Sequence, residues 1–247
     1  RQEMGYKKVL RPLMYKFTGK PFIDARLSFY SLIPSNIPHN LSKKIVNHWS
    51  KILLSKPYLH DKIEFEIADG SFDAQTKKKI KDNYSFLSSI EKKKYGLSLK
   101  QLTDFQIKNF EFEFDKNNKR LMELENARIE LIDSFLKKNE NFNVLMKNFL
   151  NKIKINGIVP FAKYATNAFI AKKILNSFYS KNYISYNKIS KILNSLNTIT
   201  SQFLSLSKLK NKSFHSKQIF ENLFYHLRPG TYDITVKRAI PNIKKRK

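Results

Sequence analysis

Two short segments near the N-terminus alternate between apolar and polar residues, which is the pattern of a strand with one buried face. In residues 22–29, one side carries Ile23, Ala25, Leu27 and Phe29, and the other side carries Asp24, Arg26 and Ser28. In residues 62–67, the apolar Ile63, Phe65 and Ile67 stand opposite Glu64 and Glu66. Together the two segments predict a small β-sheet.

Most of the remaining chain has apolar residues at the three- and four-residue spacing of amphipathic helices. One helix is predicted between the two strands and ends before Pro57, because proline cannot continue a helix. Its apolar positions are Leu41, Ile45, Val46, Trp49, Ile52 and Leu53. Helical spacing resumes near residue 74 and lasts until about residue 224. We therefore expect a mainly α fold of the α+β class: one helical domain with a small N-terminal β-sheet over residues 1–236, then a basic tail at 237–247.

The 247 residues carry a formal net charge of +27, which attracts nucleic acid, anionic lipid or phosphorylated small molecules. The lysines are scattered through nearly every segment, and we attribute them to compositional bias in preference to a dedicated basic surface. On this interpretation the lysine runs at 77–79 and 92–94 are solvated surface. There is no Cys and no apolar run of the ~20 residues that cross a membrane. We expect a cytoplasmic protein without a membrane partner. Three origins of the chain stay open, namely a fragment of a longer polypeptide, a split-gene product and a degenerate copy.

Common catalytic motifs are missing from the sequence. The single Gly-Lys pair, Gly19-Lys20, lacks the other positions of a phosphate-binding loop. The five histidines do not show the paired spacing of a zinc site, so we expect no metal ligand among them. An enzyme that works alone is hard to build from these residues.

The segment at residues 224–234 (FYHLRPGTYDI) is the first candidate site. Pro229 fixes its own φ and Gly230 accepts a positive φ, so the backbone is expected to turn at these residues. Such a turn would present four polar side chains from one loop, namely His226, Arg228, Thr231 and Asp233. The alternative is a helix C-terminus at which Pro-Gly only stops the helix.

The polar side of the first predicted strand is the second candidate site. If the two strands pair, Asp24, Arg26 and Ser28 would lie beside the second strand, where Arg26 would face Glu64 or Glu66. In the functional interpretation, the guanidinium of Arg26 holds an anionic or hydroxylated ligand. In the alternative, the pair is an exposed salt bridge worth less than about 1 kcal/mol.

Three segments, in this order and spacing, resemble the central region of phosphoenolpyruvate synthase-like proteins, which are relatives of pyruvate phosphate dikinase and of rifampicin phosphotransferases. They are residues 21–34 (PFIDARLSFYSLIP), 59–67 (LHDKIEFEI) and 225–234 (YHLRPGTYDI). Proteins of this family join an ATP-grasp domain, a largely helical central domain and a swivelling domain whose histidine carries phosphate. The resemblance implies that this chain is the central, acceptor-side module. It departs from the family at residues 68–71 and after residue 234.

By this resemblance, His226 would act as a general base on an acceptor hydroxyl, and Arg228 would neutralise charge that develops on the phosphoryl group. The acceptor, a small molecule, would be bound by Asp24, Arg26, Ser28, Glu64, Thr231 and Asp233. ATP and Mg²⁺ would be held by the ATP-grasp domain, and phosphate by the phosphohistidine domain, in cis or in trans. The chain alone would then hold no cofactor and would not be active.

Two other functions remain open on the sequence. A basic helical protein binds nucleic acid through its charge, although no helix-turn-helix, zinc or ribonucleoprotein signature is present. A helical scaffold without ligand chemistry would need neither candidate site.

Overall fold

The computed structural model describes residues 1–137, 142–209, 213–224 and 227, and most of these residues are helical. The helices are α1 (Ala25–Tyr30), α2 (His39–Ser55), α3 (Thr76–Asn83), α4 (Ser89–Lys108), α5 (Phe110–Leu136), α6 (Phe142–Lys152), α7 (Val159–Ser180), α8 (Tyr186–Ser195), α9 (Ile199–Leu209) and α10 (Phe214–Phe224). Two strands, β1 (Met14–Phe17) and β2 (Lys20–Ile23), form a two-stranded sheet. The predicted fold class, mainly α with a small N-terminal sheet, is confirmed.

The chain divides into two compact units, Arg1–Ile184 and Ser185–Lys247. In the second unit, α9 packs against α10 through the rings of Phe203, Phe220 and Phe224, whose centroids lie 5.1 to 5.3 Å apart. The sequence pattern gave no sign of a boundary near residue 184, because apolar residues keep a helical spacing on both sides of it. In the described part of the chain, no helix is both long enough and apolar enough to cross a membrane.

The sheet uses different residues from those predicted. β1 pairs antiparallel with β2, and Met14 lies opposite Ile23. Thr18 and Gly19 connect the strands with φ values of 47° and 81°, the left-handed conformation that a two-residue hairpin turn requires. The strand predicted over residues 22–29 is therefore wrong beyond Ile23.

Asp24 is the reason that this predicted strand becomes helix α1. Its carboxylate accepts a hydrogen bond from the amide of Leu27 at 2.9 Å, and this N-cap starts a helix. The second predicted strand is also wrong, since Ile63–Ile67 forms one π-helical turn. A five-residue segment fits both a two-residue alternation and an i, i+4 helical spacing, so the pattern alone does not distinguish them.

The core of the first unit lies between α1, α2, α3 and α4. Its centre is Trp49 of α2, which is fully buried and packs against Phe29 of α1 with ring centroids 5.8 Å apart. Tyr84 at the end of α3 and Tyr95 of α4 extend this aromatic contact, with centroids 5.4 Å apart. The helix predicted between the two strands is confirmed as α2, and its apolar face supplies much of this core.

Helix α5 packs along α6, the π-helical turn Ile153–Ile158 and α7. The approach is close at Gly157, where a Cβ atom would lie only 3.1 Å from a methyl group of Leu124. Next to it, the amide of Asn156 donates to Glu123 at 3.0 Å. These contacts fix α7, which supplies two of the side chains that hold the loop described below.

Gly5 and Gly19 provide a matched pair for a stability test. Both have a positive φ, 88° and 81°. A Cβ on Gly5 would lie 2.8 Å from Leu102, whereas a Cβ on Gly19 would meet no atom of the described residues within 4 Å. We expect Gly19→Ala to cost about 1–2 kcal/mol for the left-handed backbone alone. Gly5→Ala should cost more because it adds a steric clash. Urea unfolding measures both, and equal losses would show that the contact with Leu102 is unimportant.

Candidate ligand-binding site

A loop at residues 68–74, buried at Ala68, Asp69 and Ser71 and partly buried elsewhere, leads from the π-helical turn Ile63–Ile67 to α3. Buried backbone groups need hydrogen-bond partners, because an unpaired one costs about 1–3 kcal/mol. Side chains from the N-terminal segment, α4 and α7 provide them. Three side chains donate to carbonyls of the loop: Tyr6 to Gly70 (2.9 Å), Tyr95 to Asp69 (3.3 Å) and Lys173 to Ala68 (3.3 Å). Two hydroxyls accept from its amides: Thr103 from Phe72 (2.8 Å) and Ser177 from Ala74 (3.3 Å).

The carboxylate of Asp69 is the centre of this loop. Asp69 is 6% exposed and accepts hydrogen bonds from the hydroxyl of Tyr84 and the ammonium of Lys79. The hydroxyl of Tyr84 in turn accepts from the indole N–H of Trp49 at 2.9 Å. Hydrogen bonds to an ionised group are roughly twice as strong as neutral ones, so this Asp69 network joins α2, α3 and the loop firmly at one place.

Burial changes the acidity of the groups around Asp69. It raises the pKa of the Tyr84 hydroxyl well above its ordinary value, and the neighbouring charge of Asp69 raises that pKa further. Burial likewise raises the pKa of Tyr95 and lowers the pKa of His48, whose ring centroid lies 5.1 Å from that of Tyr84. It also lowers the pKa of Lys173. Each of these shifts favours the neutral form of the group.

A cavity of about 430 Å³ lies between α3 and α4. Its apolar lining residues, here called its floor, are Phe72 from the loop, Ile80 from α3, and Gly96 and the 52% exposed Leu97 from α4. Its rim carries five lysines, namely Lys77, Lys81, Lys92, Lys93 and Lys100, and none of the described residues that line it is acidic. The volume lies within the range of ~300–1,000 Å³ that is usual for small-molecule sites. The cavity can therefore accept an anionic small molecule.

The loop at residues 68–74 determines the positions of α3 and α4, which form the two walls of this cavity. The amide of Phe72 donates to the hydroxyl of Thr103 on α4, which fixes the loop on that helix. At the start of α3, the amide of Asp73 donates to Thr76, whose hydroxyl donates back to the Asp73 carboxylate at 2.9 Å. Helix α3 thus begins at a fixed distance from α4, and Lys77 projects from its first turn toward the cavity.

Gly96 leaves the space that the cavity occupies. It lies in the middle of α4, where glycine costs about 1 kcal/mol of helix stability relative to alanine. A Cβ at this position would lie 3.6 Å from Ile80, an ordinary van der Waals contact. Close backbone packing therefore does not require this glycine, and its effect is to keep the floor of the cavity open.

The structure separates the residues predicted to form the polar side of the first strand. Asp24 caps α1, Arg26 is exposed and donates to Asn47 of α2, and Ser28 is buried. Glu64 pairs with the guanidinium of Arg1. The predicted contact between Arg26 and Glu64 is therefore not formed, and these side chains do not share one polar face, because the segment is helical.

The second group of predicted site residues, His226, Arg228, Thr231 and Asp233, lies outside the residues that the structure describes. Their convergence in one loop stays a prediction.

The sequence analysis missed both the Asp69 network and the cavity. In the sequence, residues 68–71 are notable only as a departure from the resemblance, and compositional bias accounts for the lysine runs at 77–79 and 92–94. The sequence does contain a signal for the cavity, because each run lies on a helix and Gly96 follows Lys92 by four residues, which is about one helical turn. The contact between the two helices could not be read from that spacing.

No protein-family model matches this sequence, and no curated protein or solved structure matches the chain significantly. The resemblance to phosphoenolpyruvate synthase-like proteins therefore stays a prediction.

Tyr84→Phe tests the Asp69 network. It removes a hydroxyl that donates to Asp69 and accepts from Trp49, so we expect the free energy of unfolding to fall by about 1–3 kcal/mol. Tyr58→Phe is the control, since Tyr58 is 68% exposed and its change should stay within about 0.5 kcal/mol. Chemical denaturation measures both. A loss for Tyr84→Phe as small as that of the control would contradict the role given to the network.

Alkaline titration tests the buried phenols. The unfolded chain releases the protons of Tyr84 and Tyr95 near pH 10, whereas the folded chain keeps them to higher pH. The stability that these phenols contribute is therefore complete below pH 10 and is lost as the pH rises through their folded pKa values. We expect tyrosinate absorbance to rise in two stages, with the later stage coinciding with loss of helical circular dichroism. Ionisation of all twelve tyrosines before unfolding would contradict this.

Proposed function

We propose that this chain is the acceptor-side module of an ATP-dependent phosphotransferase and that the cavity between α3 and α4 holds the anionic part of its ligand. The observation that carries the proposal is the lysine rim above the apolar floor. Five cations, with no acidic side chain beside them in the part of the chain that the structure describes, create a positive potential that favours phosphate or carboxylate over neutral molecules. Phosphorylated substrates and products are the ligands that such a module handles.

The first two segments of the resemblance support the proposal because they lie together in the fold. Phe29 from the first segment and Ile67 from the second belong to the same hydrophobic core. The guanidinium of Arg1 donates to Ser31 in the first segment and to Glu64 in the second. Segments that share a core in this way behave as one structural unit, as parts of a common module should.

The chain would need two partner domains for phosphate transfer. An ATP-grasp domain would supply ATP and Mg²⁺, and a phosphohistidine domain would carry the phosphoryl group, in cis or in trans. His226 as a general base and Arg228 as the group that neutralises developing charge remain part of the proposal. We assign the module to the cytoplasm, where ATP is abundant.

Nucleic acid is the second candidate ligand, and the hairpin of β1 and β2 is the observation that favours it. Tyr15, Phe17 and Phe22 are exposed there, and the rings of Phe17 and Phe22 lie 5.4 Å apart. Lys16 and Lys20 alternate with these rings. Exposed rings bind single-stranded bases by stacking while lysines bind the phosphates. We rank this candidate second because the hairpin is a projection and not a concave site.

The test of the proposed function is reconstitution of phosphate transfer. The chain alone should neither bind nor hydrolyse ATP. Together with separately produced ATP-grasp and phosphohistidine domains of a phosphoenolpyruvate synthase-like protein, it should transfer phosphate from labelled ATP to an acceptor. His226→Ala with Arg228→Ala should lower that rate by at least ~10²-fold, the usual contribution of a positioned general base.

Two results would contradict the proposed function. One is ATP hydrolysis or phosphate transfer by the chain alone. The other is tight binding of single-stranded oligonucleotide that persists at physiological salt, together with no transfer in the reconstituted mixture, which would favour the second candidate. His39→Ala with Lys43→Ala is the matched control for the double variant, because it changes a histidine and a cation on the exposed start of α2.

A further inference from the structure

We infer that the cavity between α3 and α4 binds an amphiphilic phosphate, a molecule with a single hydrocarbon chain and a phosphate monoester head. The hydrocarbon would lie on the floor of the cavity and the phosphate among the lysines of its rim. The inference rests on the proposed function, since it names the ligand class of the same site.

The floor of the cavity is suited to hydrocarbon and not to a sugar or a nucleobase. Phe72, Ile80 and Leu97 present carbon atoms only, and Gly96 adds no side chain. The backbone of α4 at this point is engaged in the helix, so it offers no free donor or acceptor. A hydroxylated or heterocyclic ligand would lose its hydrogen bonds to water there without replacement, which is unfavourable.

The rim is suited to a doubly charged head. Lys77 and Lys81 stand one turn apart on α3, and three more lysines line the facing side on α4. Lysine stems lie along apolar walls while their ammonium groups reach solvent, which places the positive charge at the mouth of the cavity. A phosphate monoester carries about −1.5 to −2 charges at pH 7, so it balances more of this charge than a carboxylate does.

The ammonium groups on the rim are largely free to meet a ligand. Four of the five lysines are exposed, and Lys92 makes only a long contact of 3.4 Å with the carbonyl of Lys81. By contrast, Lys79, which lies on α3 with Lys77 and Lys81, already forms an ion pair with Asp69. An arriving phosphate therefore has to displace water but no anionic side chain of the described residues.

The cavity also limits the size of the ligand. Its volume of about 430 Å³ lies near the lower end of the usual range for small-molecule sites. A second cavity of about 460 Å³ between α4, α5 and α7 is similar in size and mainly apolar, but no lysine lines it among the described residues. It provides an internal reference, because an uncharged amphiphile can enter either cavity whereas a phosphate head distinguishes them.

The test is a calorimetric titration of the full chain with four probes: octyl phosphate, hexyl phosphate, inorganic phosphate and 1-octanol. Octyl phosphate should bind roughly tenfold more tightly than hexyl phosphate, because two more methylene groups are buried. It should also bind more tightly than inorganic phosphate or octanol. Equal affinities for octyl phosphate and inorganic phosphate would overturn the inference, since the apolar floor would then contribute nothing.

Gly96→Leu is the variant that addresses the floor. It fills the cavity from α4, and it should not lower the thermal stability because leucine is a better helix former than glycine. We expect octyl phosphate to bind at least tenfold more weakly while inorganic phosphate is unaffected. Gly96→Ala is the matched control and should retain most of the affinity. Unchanged binding of octyl phosphate to Gly96→Leu would place the ligand elsewhere and overturn the inference.

Lys77→Gln with Lys100→Gln addresses the rim without filling the cavity. The pair should weaken octyl phosphate about fivefold at low salt, as expected for two exposed charge interactions, and should leave octanol unchanged. Lys43→Gln with Lys154→Gln removes the same net charge from exposed positions that do not line this cavity. Equal losses in the two double variants would show that only the overall field matters, and would contradict a built site.

Vesicles distinguish a membrane-borne ligand from a free one. If the source is a membrane, the chain should bind vesicles that contain lysophosphatidic acid, which has one hydrocarbon chain and a phosphate monoester head, more tightly than vesicles that carry the same total charge as phosphatidylglycerol. If the source is free in solution, octyl phosphate should bind while both vesicles behave alike. None of these measurements involves phosphate transfer, so a failure to bind leaves the proposed function to its own test. If phosphate transfer fails in the reconstituted mixture while octyl phosphate still binds, only the proposed function is contradicted.

Discussion

The burial of the Asp69 carboxylate is the constraint on which the first unit depends. Taking a carboxylate out of water costs several kcal/mol unless it is paired and hydrogen-bonded, so the surrounding structure has to satisfy it. Tyr84 and Lys79 donate hydrogen bonds to it, and Trp49 in turn donates to the hydroxyl of Tyr84. Because these partners belong to α2 and α3, the loop that carries Asp69 can lie in only one position relative to both helices.

The position of that loop has a consequence for function. It passes from Asp69 to Phe72, whose amide is fixed on α4, and then directly into α3. The separation of α3 from α4 is thus set by hydrogen bonds to a buried loop, and Gly96 leaves the resulting space empty. A cavity whose walls are held by a hydrogen-bonded loop is preformed, which is the usual character of small-molecule sites.

The positive charges of this protein have different effects at different places in the structure. Most of the lysines that give the net charge of +27 are dispersed and solvated, and their repulsion only lowers stability. At the rim of the cavity, five of them lie together, and none of the described lining residues is acidic. An anion bound there, as proposed, would relieve the repulsion between these five lysines, so that a local cost in stability would become a local gain in affinity.

The helical class of the fold and the position of α2 could be predicted from the sequence, because α2 has many apolar positions at one clear period. The strands could not, because residues 22–29 and 62–67 are too short for one period to exclude another. At the first of these, the N-cap at Asp24 decided the outcome. The cavity could not be predicted either, since Lys77 and Lys93 line one cavity only because α3 packs beside α4.

The sequence by itself determined that the chain is rich in helix, strongly basic and free of cysteine, because composition and local period are properties of neighbouring residues. Only the tertiary structure decided that Asp69 is buried, that Arg26 donates to Asn47 and not to Glu64, and that Lys77 and Lys93 line one cavity. The physical reason is that these contacts join residues that are distant along the chain. Their formation depends on how whole helices pack, which no local pattern encodes.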